Sequence, residues 1–291
     1  MPNQIAELIP RLPEPVRALP RTAIWTYGQL TSAVRPLPGA LIIGAQKAGT
    51  TALYAWLREH PAVLGPTWKE VNYFDRRFTR GESWYRGHFP NELRLRRVRR
   101  RGLEPVVLEA STGYLFHPLA PERTKALLPA ARLVALVRDP VTRAYSHYQH
   151  EVALGREPLS FEDAIDREDE RMDGELERML ADPAYFSYAW WNYTYLARGR
   201  YAEQLERWLA VFPEEQLLIV PTDDLGKSPR ETYARVLSHL HVPPHELGEY
   251  PRVFGRDYAA MSTETRSRLS AQFAEPNSRL YELIGRDLGW T

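Results

Sequence analysis

Short apolar runs recur along the chain, most of them closed by glycine, arginine or proline. ALIIG (40–44), VVLEA (106–110), RLVALVR (132–138) and QLLIVP (216–221) are strand-sized and almost continuously apolar. That is the pattern of strands buried on both faces of a parallel sheet. Around them, apolar residues fall at helical spacing over about 50–61, 119–128, 140–154, 160–180, 198–212, 229–240 and 263–285. Strands alternating with helices predict a three-layer α/β domain with a mainly parallel central sheet flanked by helices. Residues 1–38 are punctuated by proline and read as a lead-in segment of short helical pieces. Residues 39–291 read as one domain, because no internal repeat, low-complexity tract or long linker divides them.

Composition narrows the partners. The chain is 44% apolar and 26% charged with a formal net charge of +1, so nothing in its overall charge points to nucleic acid. It has no cysteine, which excludes disulfides, thiolate catalysis and thiolate metal sites. Its eight histidines show no metal-ligand spacing. No run is long enough for a secretory signal or a membrane span, and the chain reads as soluble and cytoplasmic. Oligomeric state is not encoded in any pattern. Only four of the 38 basic residues are lysine (Lys47, Lys69, Lys125 and Lys227).

One of those lysines lies in the stretch LIIGAQKAGTTALYAWL (41–57). A strand, a glycine loop and a helix follow one another, the arrangement in which backbone N–H groups and a helix start bind phosphate. Gly44 and Gly49 have the separation of a P-loop, G-x-x-x-x-G-K-[ST], so the fold is P-loop-like. Thr50 nevertheless stands where the lysine of that motif belongs, and Lys47 lies within the loop. A lysine that bends in from the loop does not suit a magnesium triphosphate. The bland alternative is an ordinary strand-to-helix turn with a surface lysine.

A second element, RLVALVRDPVTRAYSHYQHE (132–151), delivers Arg138 at a strand end, with Ser146 eight residues later on a helix opened by Asp139-Pro140. Ligands of open α/β sheets bind outside the carboxyl ends of the strands, so Arg138 and Lys47 should share a crevice. An arginine fork beside a hydroxyl suits a terminal phosphate. The alternative here is an Asp139–Arg143 surface pair and nothing more. Two anion sites in one crevice imply a nucleotide with phosphates at both ends.

These segments resemble the sulfotransferases that use 3′-phosphoadenylyl sulfate (PAPS), of the heparan sulfate sulfotransferase type and its bacterial relatives. KEVNYFD (69–75), EASTGYLFHP (109–118), GRYAEQLERWLAVFP (199–213) and the tail FGRDYAAMSTETRSRLSAQFAEPNSRLYELIGRDLGW (254–290) fall in the same register. The likeness runs from about residue 38 to the end. It implies that Lys47, Ala48, Gly49, Thr50 and Thr51 hold the 5′-phosphosulfate, that Arg138 and Ser146 hold the 3′-phosphate, and that Gly255 and Arg256 close over the nucleotide. It implies Glu70 as the general base, Lys47 as the catalytic cation, PAPS as co-substrate, adenosine 3′,5′-bisphosphate (PAP) as product, and no metal. Asp75 is a possible orienting partner, and Glu109 is the rival base.

Three positions depart from the heparan-type pattern. Phe254 stands where a lysine is expected, Asn72 where several relatives carry histidine, and Ala110 where the heparan-modifying members carry lysine; the last argues against a glycosaminoglycan acceptor. The aromatic segment YFSYAWWNYTYLARGRY (185–201) reads as core, or alternatively as an acceptor wall. The six arginines of LRLRRVRRR (93–101) read as a solvated loop, or alternatively as a docking patch for an acidic acceptor. The sequence thus predicts sulfuryl transfer to a hydroxyl or amine of a carbohydrate or small-molecule acceptor. A P-loop kinase or NTPase, or a catalytically silent nucleotide-binding relative, are the other readings.

Overall fold

The computed structural model describes residues 21–251 and 259–290. Strands β1 (Ala40–Gly44), β2 (Val63–Leu64), β3 (Val106–Ala110), β4 (Arg132–Val137) and β5 (Leu217–Pro221) form one sheet in the order β2-β3-β1-β4-β5. Every pairing is parallel. The four apolar runs are four of these strands. β2, two residues long, carries too little pattern to be read.

Among the described residues, eight helices of eight residues or more pack around the sheet. They are α1 (Arg21–Leu30), α2 (Thr50–Glu59), α3 (Glu92–Arg99), α4 (Ala120–Leu127), α5 (Pro140–Ala153), α6 (Tyr201–Leu209), α7 (Pro229–His239) and α8 (Thr263–Ile284). None in the described residues is long and apolar enough to cross a membrane. Helices on both faces of the sheet explain why β1 and β4 are buried along nearly their whole length. A second apolar cluster, including Val141, Phe161, Tyr195, Leu269 and Phe273, ties α5 and α8 to the segment after residue 160.

Four features could not be read from the periodicity. The stretch 160–180, expected as one helix, is three (Phe161–Asp166, Glu168–Met172 and Glu175–Ala181), and Gly174 in a left-handed conformation precedes the last. The arginine run is helical rather than a loop. Asn91 caps α3 by accepting the Arg94 N–H, and Leu95 and Val98 bury its inner side. Pro276 lies inside α8 without ending it. The expected helix at 198–212 begins only at Tyr201, after a 3₁₀ turn at Ala197–Gly199.

Chain order places the site. From β1 the sheet grows to one side through β3 and to the other through β4. Such a reversal opens a crevice at the carboxyl ends of the two diverging strands, and the loops after β1 and β4 border it. Those loops carry Lys47 and Arg138.

Candidate active site

The loop between β1 and α2 is held from three directions. Ala45 donates its N–H to the Leu136 carbonyl at 2.8 Å, which joins the loop to β4. The Thr222 hydroxyl lies 2.6 Å from the Ala48 carbonyl and 3.0 Å from that of Val137. Gly49 caps α2 with φ of 89°, and a Cβ there would meet Leu225 at 3.1 Å. Only glycine takes that backbone without strain, and it turns the open N–H groups of the first helical turn toward the crevice. Ala48 and Thr50 are buried beneath this turn, and Thr51 is half-buried.

Lys47 also has a left-handed backbone, with φ of 68°. Its charge adds a small share to the lowered His147 and to the electrostatics of Glu151, both on α5 and both shifted mainly by burial. Arg138 approaches the same loop: its guanidinium donates to the Lys47 carbonyl at 3.0 Å. The Tyr201 hydroxyl fixes the Arg138 backbone, donating to its carbonyl at 2.9 Å and accepting its N–H at 3.3 Å. The two predicted anion elements therefore meet. Ser146 lies on the buried side of α5.

The surface-pair alternative for Asp139 and Arg143 does not describe this segment. Asp139 caps α5 through the N–H groups of Val141 and Thr142, while Arg143 is wholly buried and donates to the Tyr195 carbonyl. Gly255 and Arg256 lie outside the described residues. Residues 260–262 line a cavity of about 320 Å³ together with Tyr145 and Glu162.

Glu70 reaches the loop from the far side of β1. Its N–H donates to the Ala110 carbonyl at the end of β3, 3.0 Å away, and its own φ is 62°. Its carboxylate is 40% exposed and pairs with Lys69 Nζ at 3.3 Å. Lys69 Nζ also donates to Thr51 Oγ1 at 3.2 Å, so one ammonium spans the phosphate loop and the candidate base. The rival, Glu109, is sealed: its carboxylate is fully buried and accepts from the hydroxyls of Ser111, Tyr85 and Tyr114. Burial lifts it to about 7, and no acceptor could reach it.

Beyond Glu70, Asp75 is buried and lifted by that burial to about 6; one of its oxygens has no partner among the described residues. Gly113 permits this packing, since a Cβ there would stand 2.4 Å from Asp75 Oδ2 and 2.7 Å from the Trp191 ring. The aromatic segment divides. Tyr195 and Tyr201 are core, whereas Trp190 stacks on Phe116, and Trp191 lies under the Arg76 guanidinium at 4.3 Å. Arg198, buried and pushed down to about 9 by its burial, sits 4.7 Å from the Phe116 ring. Part of the segment thus packs its rings against the cations Arg76 and Arg198.

Lys69, Thr222 and Tyr201 were not singled out in the sequence. Lys69 had one available signal, its rarity in an arginine-rich chain. Thr222 and Tyr201 had none, for they act on partners 174 and 63 residues away. Among the described residues no cluster of three or more metal-ligating side chains occurs.

Known proteins resemble this chain over most of its length. Residues 37–252 match the family described as Sulfotransferase domain. The bifunctional heparan sulfate N-deacetylase/N-sulfotransferase 3 of Homo sapiens is 31% identical over 281 residues, covering 85% of this chain. The chain spans 30% of that protein's length. Heparan sulfate glucosamine 3-O-sulfotransferase 3B1 of Mus musculus is 29% identical over 88% of this chain and 65% of its own. The crystal structure of a sulfotransferase from Alicyclobacillus acidocaldarius superposes with a TM-score of 0.65 at 30% identity, covering 87% of this chain and 98% of that one.

Proposed function

The chain belongs to the sulfotransferase domain family, and from that membership we propose that it transfers the sulfuryl group of PAPS to a hydroxyl or amine of a carbohydrate or small-molecule acceptor. The observation that carries the reading is the 3.0 Å contact between the Arg138 guanidinium and the Lys47 carbonyl. It joins the two anion elements at one end of the sheet, as a nucleotide phosphorylated at both ends requires.

The acceptor attacks sulfur in line with the departing 5′-phosphate. A bond forms from the acceptor atom to sulfur, the bond from sulfur to the bridging oxygen breaks, and its electron pair stays on the phosphate. Glu70 takes the acceptor proton. Its partial exposure at the crevice makes it the reachable carboxylate, in contrast to Glu109. Lys47 and the N–H groups of the first turn of α2 offset the charge developing on the phosphate, which is where fixed dipoles and cations accelerate a reaction most. Arg138 and Ser146 hold the 3′-phosphate, and Gly255 and Arg256 close over the nucleotide. Trp190 and Trp191, with Arg76 and Arg198, form the acceptor side.

Calorimetry tests the reading. PAP should bind in the presence of a chelator, and Mg·ATP should bind far more weakly. Glu70→Gln should lower kcat on the order of 100-fold or more and retain PAP binding. Preference for Mg·ATP would overturn the proposal in favour of a kinase.

A further inference from the structure

Lys69 occupies a position that the proposed reaction does not yet use. Its side chain is only 15% exposed, and its ammonium lies 3.2 Å from Thr51 Oγ1 and 3.3 Å from Glu70 Oε1. Neighbouring side chains in extended backbone point to opposite sides. The left-handed φ of 62° at Glu70 breaks that alternation and accompanies the convergence of residues 69 and 70. Such a backbone costs a non-glycine residue free energy and is kept where the surroundings impose it. Here the Glu70 N–H is held by the Ala110 carbonyl and its own carbonyl by the Asn72 side chain. The pair is therefore built in by the fold on both sides.

An ammonium has three donors and no acceptor. In giving one to Thr51 Oγ1, Lys69 occupies a lone pair of that hydroxyl and leaves its O–H to donate elsewhere. Thr51 lies in the first turn of α2, where the anion site opens. Lys47 lies in the loop that leads into that turn, so two lysines belong to one site.

We propose that Lys69 is a positioning residue that couples donor binding to the base: in the empty enzyme it pairs with Glu70, and the 5′-phosphosulfate draws its ammonium toward the loop. The inference rests on the sulfuryl-transfer reading. A phosphosulfate carries more charge than one partly exposed carboxylate and sits among oriented N–H groups, so it wins the ammonium. Glu70 is then released to accept a proton only when sulfur is present to be attacked. The donor binds before the acceptor is activated.

The test uses two nucleotides, three single variants and one double variant. Lys69→Met should weaken PAP binding roughly 10- to 100-fold, the scale of a lost hydrogen bond to a charged group. It should leave adenosine 3′-monophosphate, which lacks the 5′-phosphate, within about twofold. Lys69→Arg should recover most of the loss. Glu70→Gln should bind PAP at least as tightly as wild type, because Lys69 is no longer shared. In kcat, Lys69→Met and Glu70→Gln together should be no worse than Glu70→Gln alone. Equal losses for both nucleotides would reduce Lys69 to a structural role, and unchanged PAP affinity with additive kcat effects would overturn the coupling. Failure of wild type to bind either nucleotide would instead remove the sulfuryl-transfer reading on which the inference stands.

Discussion

Lys47 and Glu70 hold their positions through strained backbone, with φ of 68° and 62°. Both side chains are consequently aimed by the main chain and do not depend on rotamer choice alone. Lys47→Ala should lower kcat on the order of 100-fold, the effect of removing a preorganised donor at a developing oxyanion; steady-state assays with a fixed acceptor measure it, and a loss of a few-fold would take Lys47 out of the chemistry. Glu109 supplies a prediction of a different kind. Its carboxyl is lifted from 4.5 to about 7 by burial, so the folded state keeps a proton that the unfolded chain releases. Its contribution to stability is present below pH 4.5 and is lost as pH rises toward 7. Relative to wild type, Glu109→Gln should therefore gain stability across that window, by on the order of 3 kcal/mol at most. Denaturant titrations at pH 5 and pH 8 would show the change or its absence. The type of both residues was legible in the sequence. Their accessibility was not, because it depends on which strand ends and hydroxyls surround each carboxylate.

At the scale of elements, the glycine loop after β1 is only as rigid as its ties. Thr222 opens a short helix after β5 and holds the Ala48 and Val137 carbonyls with one hydroxyl. Thr222→Val keeps the shape and removes the bond. It should cost about 1–2 kcal/mol of stability and weaken PAP binding, both readable by thermal shift with and without nucleotide. Helix α3 makes the opposite case. Arg97 on it and Arg100 just past its end are exposed, and α3 precedes the start of β3. The parallel sheet puts that start at the edge opposite the loops that carry Lys47 and Arg138. Reversing both charges should leave kcat and KM for a small acceptor within about twofold; a larger fall would make the run part of acceptor docking. That this run is helical follows from the Asn91 cap and the buried pair Leu95 and Val98, which six arginines mask in the sequence.

Across the whole molecule, the site is a joint between halves of the sheet. β1 is paired to β3 on one side and β4 on the other, and the candidate residues hang from the carboxyl ends of all three. A ligand that spans this joint binds only the folded chain. PAP at 100 times its Kd should therefore add about 2.7 kcal/mol to stability. A rise in Tm with PAP, and a smaller one with adenosine 3′-monophosphate at the same concentration, would report the joint directly.

The sequence by itself determined the parallel sheet, the glycine loop at the end of its central strand and the arginine at the end of the next. Apolar runs and a strand–loop–helix order are local facts, and local sterics and burial enforce them. Tertiary structure alone decided which carboxylate is reachable, that Arg138 grips the loop of Lys47, and that Lys69 joins Thr51 to Glu70. Each of those depends on side chains from separate strand ends arriving within about 3 Å of one another, the reach of a hydrogen bond. No period along the chain records such a distance.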